Sequence, residues 1–507
     1  MKRIILIAIA IAFVNQNLFA QDEYDVLRYA QNNIQGTARS SAIGGALGSI
    51  GGDMGALIVN PAGIGIFRKS EFSLSANYAI ARTSGTYLGT TRDDNANKLS
   101  ISHFGYVKTR ALTSDQYKQR DWKSISFGFG MNRLASFANN SSYTGKNTKS
   151  SIVERWADDF NRLGGINDNS LGGVNYSAYS AYRTYLIDRD YTVGGDTNRA
   201  RSYVPFKDGI QQTKSVSESG GMNEYFVSLG GNYKEKLMLG ATVGIPTVNY
   251  TRSKSFIEED VSNNLNNDFK YMRFNENLVT SGVGLNLKLG AIYKANKNFR
   301  AGIALHTPSR IWMNDAVNVS METHTDSFLL RNNISSSPIS KYNQDSTQVF
   351  NYSQTTPYKA IVSASYLFDK YGFITADIEY MDYSTMKYNY GEGFENLNQV
   401  MNTQIAALYK SAVNIRIGAE AKLKDFSLRA GYANYGSPNR FAEARNVISG
   451  GVGYRTNTWF MDLTYIAAMQ NNFETPYTLE RSDANVTQAN LDNTRSNLVF
   501  TFGWKFR

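Results

Sequence analysis

Histidine, cysteine, serine and carboxylate positions are where an enzyme would declare itself, and in this chain they do not converge. There are three histidines, His103, His306 and His324, and no cysteine. No two histidines stand at a metal-binding spacing, so a metal centre has no donor set. No Gly-x-Ser-x-Gly turn and no phosphate-cradling glycine loop occur. The charges Lys288, Asp377, Glu379, Arg416 and Glu420 fall on the polar side of alternating segments. They are expected to satisfy one another inside a polar interior. The residues therefore predict neither catalysis nor a cofactor. The stretch that stands out instead runs from Gly36 to Phe67, centred on Asn60-Pro61-Ala62-Gly63.

That stretch is rich in glycine and alanine. A strand would want β-branched and aromatic residues there, and a surface helix would want charge. It reads as compact coil with short helical turns, buried inside something larger. Pro61 fixes its own φ and restricts Asn60, so the pair sets one chain direction. The Asn60 side chain can pair backbone groups that a buried coil leaves open. Ala62 and Gly63 are small enough to pack against a wall or to slide past it. Two readings stand: a gate, or a rigid turn leading into the first strand.

The elements around it follow from periodicity. From Glu71 onward apolar and polar residues alternate to the last residue. Val413, Ile415, Ile417, Ala419, Ala421 and Leu423 alternate with Asn414, Arg416, Gly418, Glu420 and Lys422. At the end, Leu498, Phe500, Phe502, Trp504 and Phe506 share one side. Such strands separate two unlike media. About fourteen of them can be placed, an even number, most near the length of a tilted spanning strand. Tight turns at Lys234-Glu235-Lys236, 294–298, Asp369-Lys370, Lys424-Asp425 and Thr456-Asn457 alternate with long connections at 83–97, 134–222, 251–275, 313–355, 384–409 and 470–494. Short turns on one side and long loops on the other is the outer-membrane asymmetry. The fold class predicted is all-β, a transmembrane antiparallel β-barrel of about 14 strands with an N-terminal plug inside. A soluble sandwich would not carry an outward apolar side in nearly every strand.

Composition agrees. Mean hydropathy is −0.38, and no stretch beyond the N-terminus approaches a spanning helix, yet barrels escape that test because alternation dilutes their apolar residues. The chain has 33 Tyr, 27 Phe and 42 Gly against 8 Pro, as aromatic girdles and closely packed curved strands require. Lys2 and Arg3, the apolar run Ile4–Val14 and a cleavage site after Ala20 predict a signal peptide over 1–20. The domains expected are that leader, an N-terminal hatch over 21–68, and a barrel over 69–507 with a large extracellular loop at 134–222. The net charge of +10 comes without a basic run, so no nucleic-acid partner is expected. Two breaks interrupt the alternation. It slips phase between His103 and Phe104, which predicts a bulge or kink. Pro246 sits in an otherwise clean strand, where it cannot donate to the ladder; it is either a bulge near the rim or an inward bend that opens the wall.

Gly51-Gly-Asp-Met-Gly-Ala-Leu-Ile-Val-Asn-Pro-Ala-Gly-Ile-Gly65, after a leader and before the first strand, resembles the hatch of the FadL/TodX family of outer-membrane transporters of long-chain fatty acids and other hydrophobic compounds. Asn60, Pro61 and Ala62 match its Asn-Pro-Ala motif. Lys288-Leu-Gly-Ala-Ile-Tyr-Lys, Phe299-Arg-Ala-Gly-Ile-Ala-Leu-His-Thr-Pro and Leu428-Arg-Ala-Gly-Tyr extend the similarity over the mature chain. The loop 134–222 departs from it in length. The resemblance implies a plugged barrel of a Gram-negative outer membrane, a hydrophobic ligand such as a fatty acid, diffusion gated by the hatch, and a wall kink as lateral exit, for which His103, Phe104 and Pro246 are the candidates. Partners implied are outer-membrane lipid and the barrel-assembly machinery, with Phe506 and the aromatics before it as assembly signal. Haem or aromatic-hydrocarbon uptake, or an adhesive or structural barrel working through its loops, are the alternatives.

Overall fold

The computed structural model describes residues 25–31, 36–112, 114–190, 198–262, 264, 267–326, 328–344, 347–439, 443–479 and 486–506. The leader expected over 1–20 lies outside the described residues. Fourteen strands close into one antiparallel barrel, with shorter strands added outside it. In chain order they are β1 Ser70–Tyr87, β2 Thr90–Ala111, β3 Trp122–Ser136, β4 Ile210–Tyr233, β5 Leu237–Asp260 and β6 Tyr271–Lys294. β7 is Phe299–His306 continued by Arg310–His324, and β8 is Gln348–Thr355 continued by Lys359–Leu367. β9 is Gly372–Asp382 continued by Lys387–Asn389. β10 Ser411–Leu423, β11 Phe426–Tyr435, β12 Arg445–Arg455, β13 Trp459–Glu474 and β14 Ala489–Phe506 complete the circuit. β14 pairs back onto β1, Ser70 opposite Phe506, which closes the barrel.

The alternation seen in the sequence becomes two faces. On β3, Ile125, Phe127 and Phe129 are exposed on the outside, while Ser124 and Ser126 are buried within. The strands outrun their expected bounds. Where 83–97 was expected to be a loop, β1 runs to Tyr87 and turns through Leu88 and Gly89, both at positive φ, into β2. β4, β5 and β6 each run 24 residues, whereas about 9–11 suffice to cross a bilayer. Their outer halves, such as Thr251–Asp260 of β5, lack a strict alternation of apolar and polar residues.

The insertion expected as one loop over 134–222 is also more ordered. β3 continues to Ser136, Asn139–Asn147 pairs with the outer half of β4, and β4 itself begins at Ile210. Between them lie helices Ile152–Arg162, Asp168–Gly173 and Tyr176–Arg183. The first starts with a capping box, Ser151 with Glu154. Val153, Trp156, Phe160 and Ala178 share one apolar core with Met272, Phe274 and Met313 of the outer barrel half and with Met401 and Ile405 of the helix Glu395–Leu408. That last helix lies within the 384–409 connection, one of the long loops expected from the sequence.

Three strands are broken at one level. β7 is interrupted at Thr307-Pro308-Ser309, β8 at Thr356-Pro357-Tyr358, and β9 at 383–386. Prolines cannot donate there, and hydroxyls stitch the gap: Ser309 N donates to Thr356 Oγ1 at 2.9 Å and Leu287 N to Thr307 Oγ1 at 3.0 Å. At Pro246 the β4 ladder is unbroken and the β6 ladder skips Ile245 and Pro246 without changing register. The structure therefore has a local gap in pairing there and no bulge.

Candidate functional site

The segment from Gly36 to Phe67 folds through three capped turns. Thr37 caps Ala38–Ala42, Asp53 caps Met54–Ile58, and Asn60 caps Pro61–Ile66 with Pro61 in the first helical position. Gly51 and Gly52, at φ +61° and +64°, reverse the chain between the first turn and the second. Nearly every residue is buried. Bare backbone on the inner face of the barrel makes the room. A Cβ at Gly240, Gly290, Gly302, Gly418 or Gly431 would run into Pro61, Asn60, Gly48, Ile43 and Gly44 respectively. Gly230, Gly240 and Gly290 face one another across β4, β5 and β6. The segment thus touches strands on opposite sides of the barrel.

Polar ties hold it at defined points. Asn60 Nδ2 donates to Gly48 O at 2.7 Å and to Ala291 O of β6 at 3.2 Å, while Asn60 Oδ1 accepts from Ala62 N at 3.0 Å. One side chain thereby joins two turns and a strand. Gly48 N donates to the Asp377 carboxylate at 3.1 Å, and Arg300 Nη1 to Ile50 O at 3.1 Å. His306 Nε2 donates to Val59 O at 3.0 Å. Arg39 pairs with Glu420 at 3.1 Å; Glu420 also binds Arg429 at 2.7 Å, and Arg429 binds Asp462 at 2.6 Å. Removing one member of so buried a chain costs about 3–5 kcal/mol, because the charge left behind is unpaired. Of the charges expected to neutralise one another, Arg416 meets Asp377 and Glu379, and Glu420 meets arginines the sequence did not single out. Lys288 is bound to Glu224.

His103 and Phe104 mark a bulge. The β1 ladder skips Ser102, which puts Ser102 and His103 both inside. Ser102 Oγ donates to Gly36 O at 3.0 Å. His103 Nδ1 donates to Asn132 Oδ1 at 2.7 Å, which fixes the tautomer and leaves Nε2 to accept from Ser73 Oγ at 2.9 Å. This serine–histidine–asparagine order is that of a hydrolase triad, but all three residues are at most 1% exposed, so in this arrangement it ties β1, β2 and β3 together. His103, Asn132, Glu224 and Pro246 stand opposite one another in successive ladders. The three residues singled out from the sequence as a wall kink thus lie on one level, which β7, β8 and β9 continue with their breaks.

Beyond the segment, on the long-loop side, lies a cavity of about 1160 Å³. Leu27, Leu47, Ile58 and Val59 give it an apolar floor, and its walls carry both signs of charge, Arg28, Arg133, Arg252 and Arg416 with Asp25 and Glu379, of which Arg28 pairs with Asp25, Arg252 with Glu276 and Arg416 with Glu379. A neighbouring cavity of about 720 Å³ shares Arg28 and Arg252 and adds Lys254 and Arg495. The Nε of Arg133, Arg252 and Arg416 has no hydrogen-bond partner among the described residues. An apolar floor under donor-rich walls suits an amphiphile with an anionic head. Sequence reasoning named Arg416 as an interior charge and missed Arg28, Arg133 and Arg252. Their only signal was a cationic residue on the polar side of a strand, which any lumen shows. No group of metal-ligating side chains forms among the described residues.

The architecture is a closed fourteen-stranded barrel with a small-residue segment seated across its interior. The chain shares the fold of the FadL and TodX channels. A FadL homologue of Pseudomonas aeruginosa superposes with a TM-score of 0.56 at 12% identity, covering 94% of this chain and 100% of that one. The toluene transporter TodX of Pseudomonas putida does so with a TM-score of 0.51 at 12% identity, again covering 94% and 100%. No protein-family model matches the chain, and no curated protein matches it.

Proposed function

We propose that the chain carries hydrophobic and amphiphilic compounds, foremost long-chain fatty acids, across the outer membrane of a Gram-negative bacterium. Residues 1–20 export it, 21–68 form a hatch, and 69–507 form the barrel. The ligand enters past the long loops, rests in the cavity and moves on when the hatch shifts. Diffusion drives the flux. The observation that carries this reading is the cavity directly over the segment, with its apolar floor at Leu27, Leu47, Ile58 and Val59 and its arginines above. A carboxylate head can meet the Arg133 guanidinium and the other polar groups of the wall while its tail leaves water for the floor. A plain hydrocarbon would use the floor alone.

The test is uptake of a labelled long-chain fatty acid in cells lacking their own transporter. The wild-type chain restores it, and the Asn60→Ala, Pro61→Ala double variant folds but restores little. Folded double variant with full uptake would leave Asn60-Pro61-Ala62-Gly63 as a rigid turn only. The second reading is aromatic-hydrocarbon uptake, which the TodX fold favours. If the wild-type chain fails on fatty acid but restores growth on toluene, that reading replaces the first.

A further inference from the structure

On the outer face, near the tight-turn end of β3 to β6, the wall carries a hollow of about 530 Å³. Trp122, Ile125, Leu229, Leu239 and Leu289 rim it, and all five are exposed. The hollow exists because Gly231 and Ala241, at positions where the outer face elsewhere carries large side chains, are small. Leu229, Ala241 and Leu289 face one another across β4, β5 and β6. Apart from the indole N–H of Trp122, no charged or hydrogen-bonding side chain among the described residues lines it. Directly behind it sits the Asn60–Gly65 turn: a Cβ on Gly65 would fall 2.5 Å from Gly231 O. Between hollow and segment the wall is one glycine backbone thick.

We propose that this hollow is a binding site for one acyl chain of a membrane lipid, held against the outer wall opposite the Asn60-Pro61-Ala62-Gly63 turn. The proposal rests on the reading of the barrel as membrane-spanning. The hollow lies within the band of outward apolar side chains, so hydrocarbon is what meets it. Within a bilayer the hydrophobic effect does not select a site, but dispersion does. A chain in the hollow touches protein at its base and on both sides, whereas a chain on the flat wall touches it on one. Left unfilled, the lining atoms would lose those contacts outright. A second copy of the chain is a poorer occupant, since stable protein contacts cover on the order of 800 Å² per partner and this is a narrow cleft between staggered rims.

Trp122 is a built-in reporter. The full chain and its W122F and W504F variants are reconstituted in phosphatidylcholine vesicles whose acyl chains carry bromine, and tryptophan emission is compared with that in unbrominated vesicles. Differences from the full chain give the quenching of Trp122 and of Trp504, an exposed outer-face residue at the same end of the barrel. Trp122 should be quenched at least twofold more strongly than Trp504. Ala241→Leu, which fills the hollow from outside, should bring Trp122 down to the level of Trp504 and leave Trp504 unchanged. Equal quenching of the two in the parent chain, or an Ala241→Leu variant that still shows the excess, overturns the site and leaves ordinary boundary lipid. Heat-modifiable migration shows that each variant is folded. If neither tryptophan is quenched in folded protein, the membrane-spanning reading fails, and the site with it.

Discussion

Gly65→Ala places one methyl group between the interior segment and the wall. Its Cβ would lie 2.5 Å from Gly231 O, 3.0 Å from Gly231 C and 3.2 Å from Met238 Cβ, where ordinary contact begins at 3.4 Å. The wall cannot yield, because Gly231 is paired with Ile125 on one side and Leu239 on the other. The turn Pro61–Ile66 must therefore retreat by about 1 Å, as close packing leaves no slack. A retreat of that size breaks the longer Asn60 bonds, the 3.2 Å contact to Ala291 O and the 3.3 Å contact to Ile303 O. Overpacking costs roughly 1–3 kcal/mol, and each lost hydrogen bond about 1 kcal/mol more. The loss falls on the seating of the segment, since the ladders that hold the barrel are untouched. In planar bilayers Gly65→Ala should show higher conductance or frequent openings, with the same unfolding temperature for the strands. Gly450→Ala is the control, because its Cβ would meet nothing closer than Arg429 O at 3.8 Å. Wild-type conductance from folded Gly65→Ala would show that the segment does not obstruct the lumen through this seat.

Other outcomes follow from the same structure. Deleting 21–68 should raise single-channel conductance well above that of Gly65→Ala, and unchanged low conductance would place the obstruction elsewhere. Glu420→Gln should free Arg39 and loosen the segment by about 3 kcal/mol, read as faster proteolysis within 36–52 while the barrel persists. Removing Trp504–Arg507 deletes the residues of β14 opposite Ser70–Phe72 and should abolish insertion; a heat-modifiable barrel in the membrane fraction would refute this. At the outer end of β5, far from the spanning part, burial pushes the Glu258 carboxyl up to about 7, although Ser151, Ile152 N and Gln212 donate to it. A carboxyl raised on folding favours the protonated native state, so its contribution is present below about pH 5 and lost as pH rises through 7. Hydrogen exchange in Ile152–Arg162 should therefore quicken from pH 5 to 8 beyond the intrinsic rate, and Glu258→Gln should remove that excess.

The sequence by itself determined the all-β barrel, the number of staves, the side that carries the tight turns, and the buried character of 36–67. All four rest on local signals: period-2 alternation between two media, turn residues, and a run with neither charge nor β-branching. It also located the bulge at His103, since a phase slip is visible along one strand. Tertiary structure decided the rest. The outer halves of β1, β2 and β4 to β6 hold by pairing with neighbours rather than by facing lipid and water, so their sequences do not alternate and read as loops. The breaks at Pro308 and Pro357 are set by where two strands meet, and a single strand shows only a proline near its end. The seat of the segment requires Gly230, Gly240 and Gly290, from three strands, to stand side by side, and register is a relation between strands that no one of them encodes. Arg133, Arg252 and Arg416 converge on one cavity for the same reason: closure of the barrel brings together residues hundreds of positions apart, and the chemistry of the site belongs to that closure.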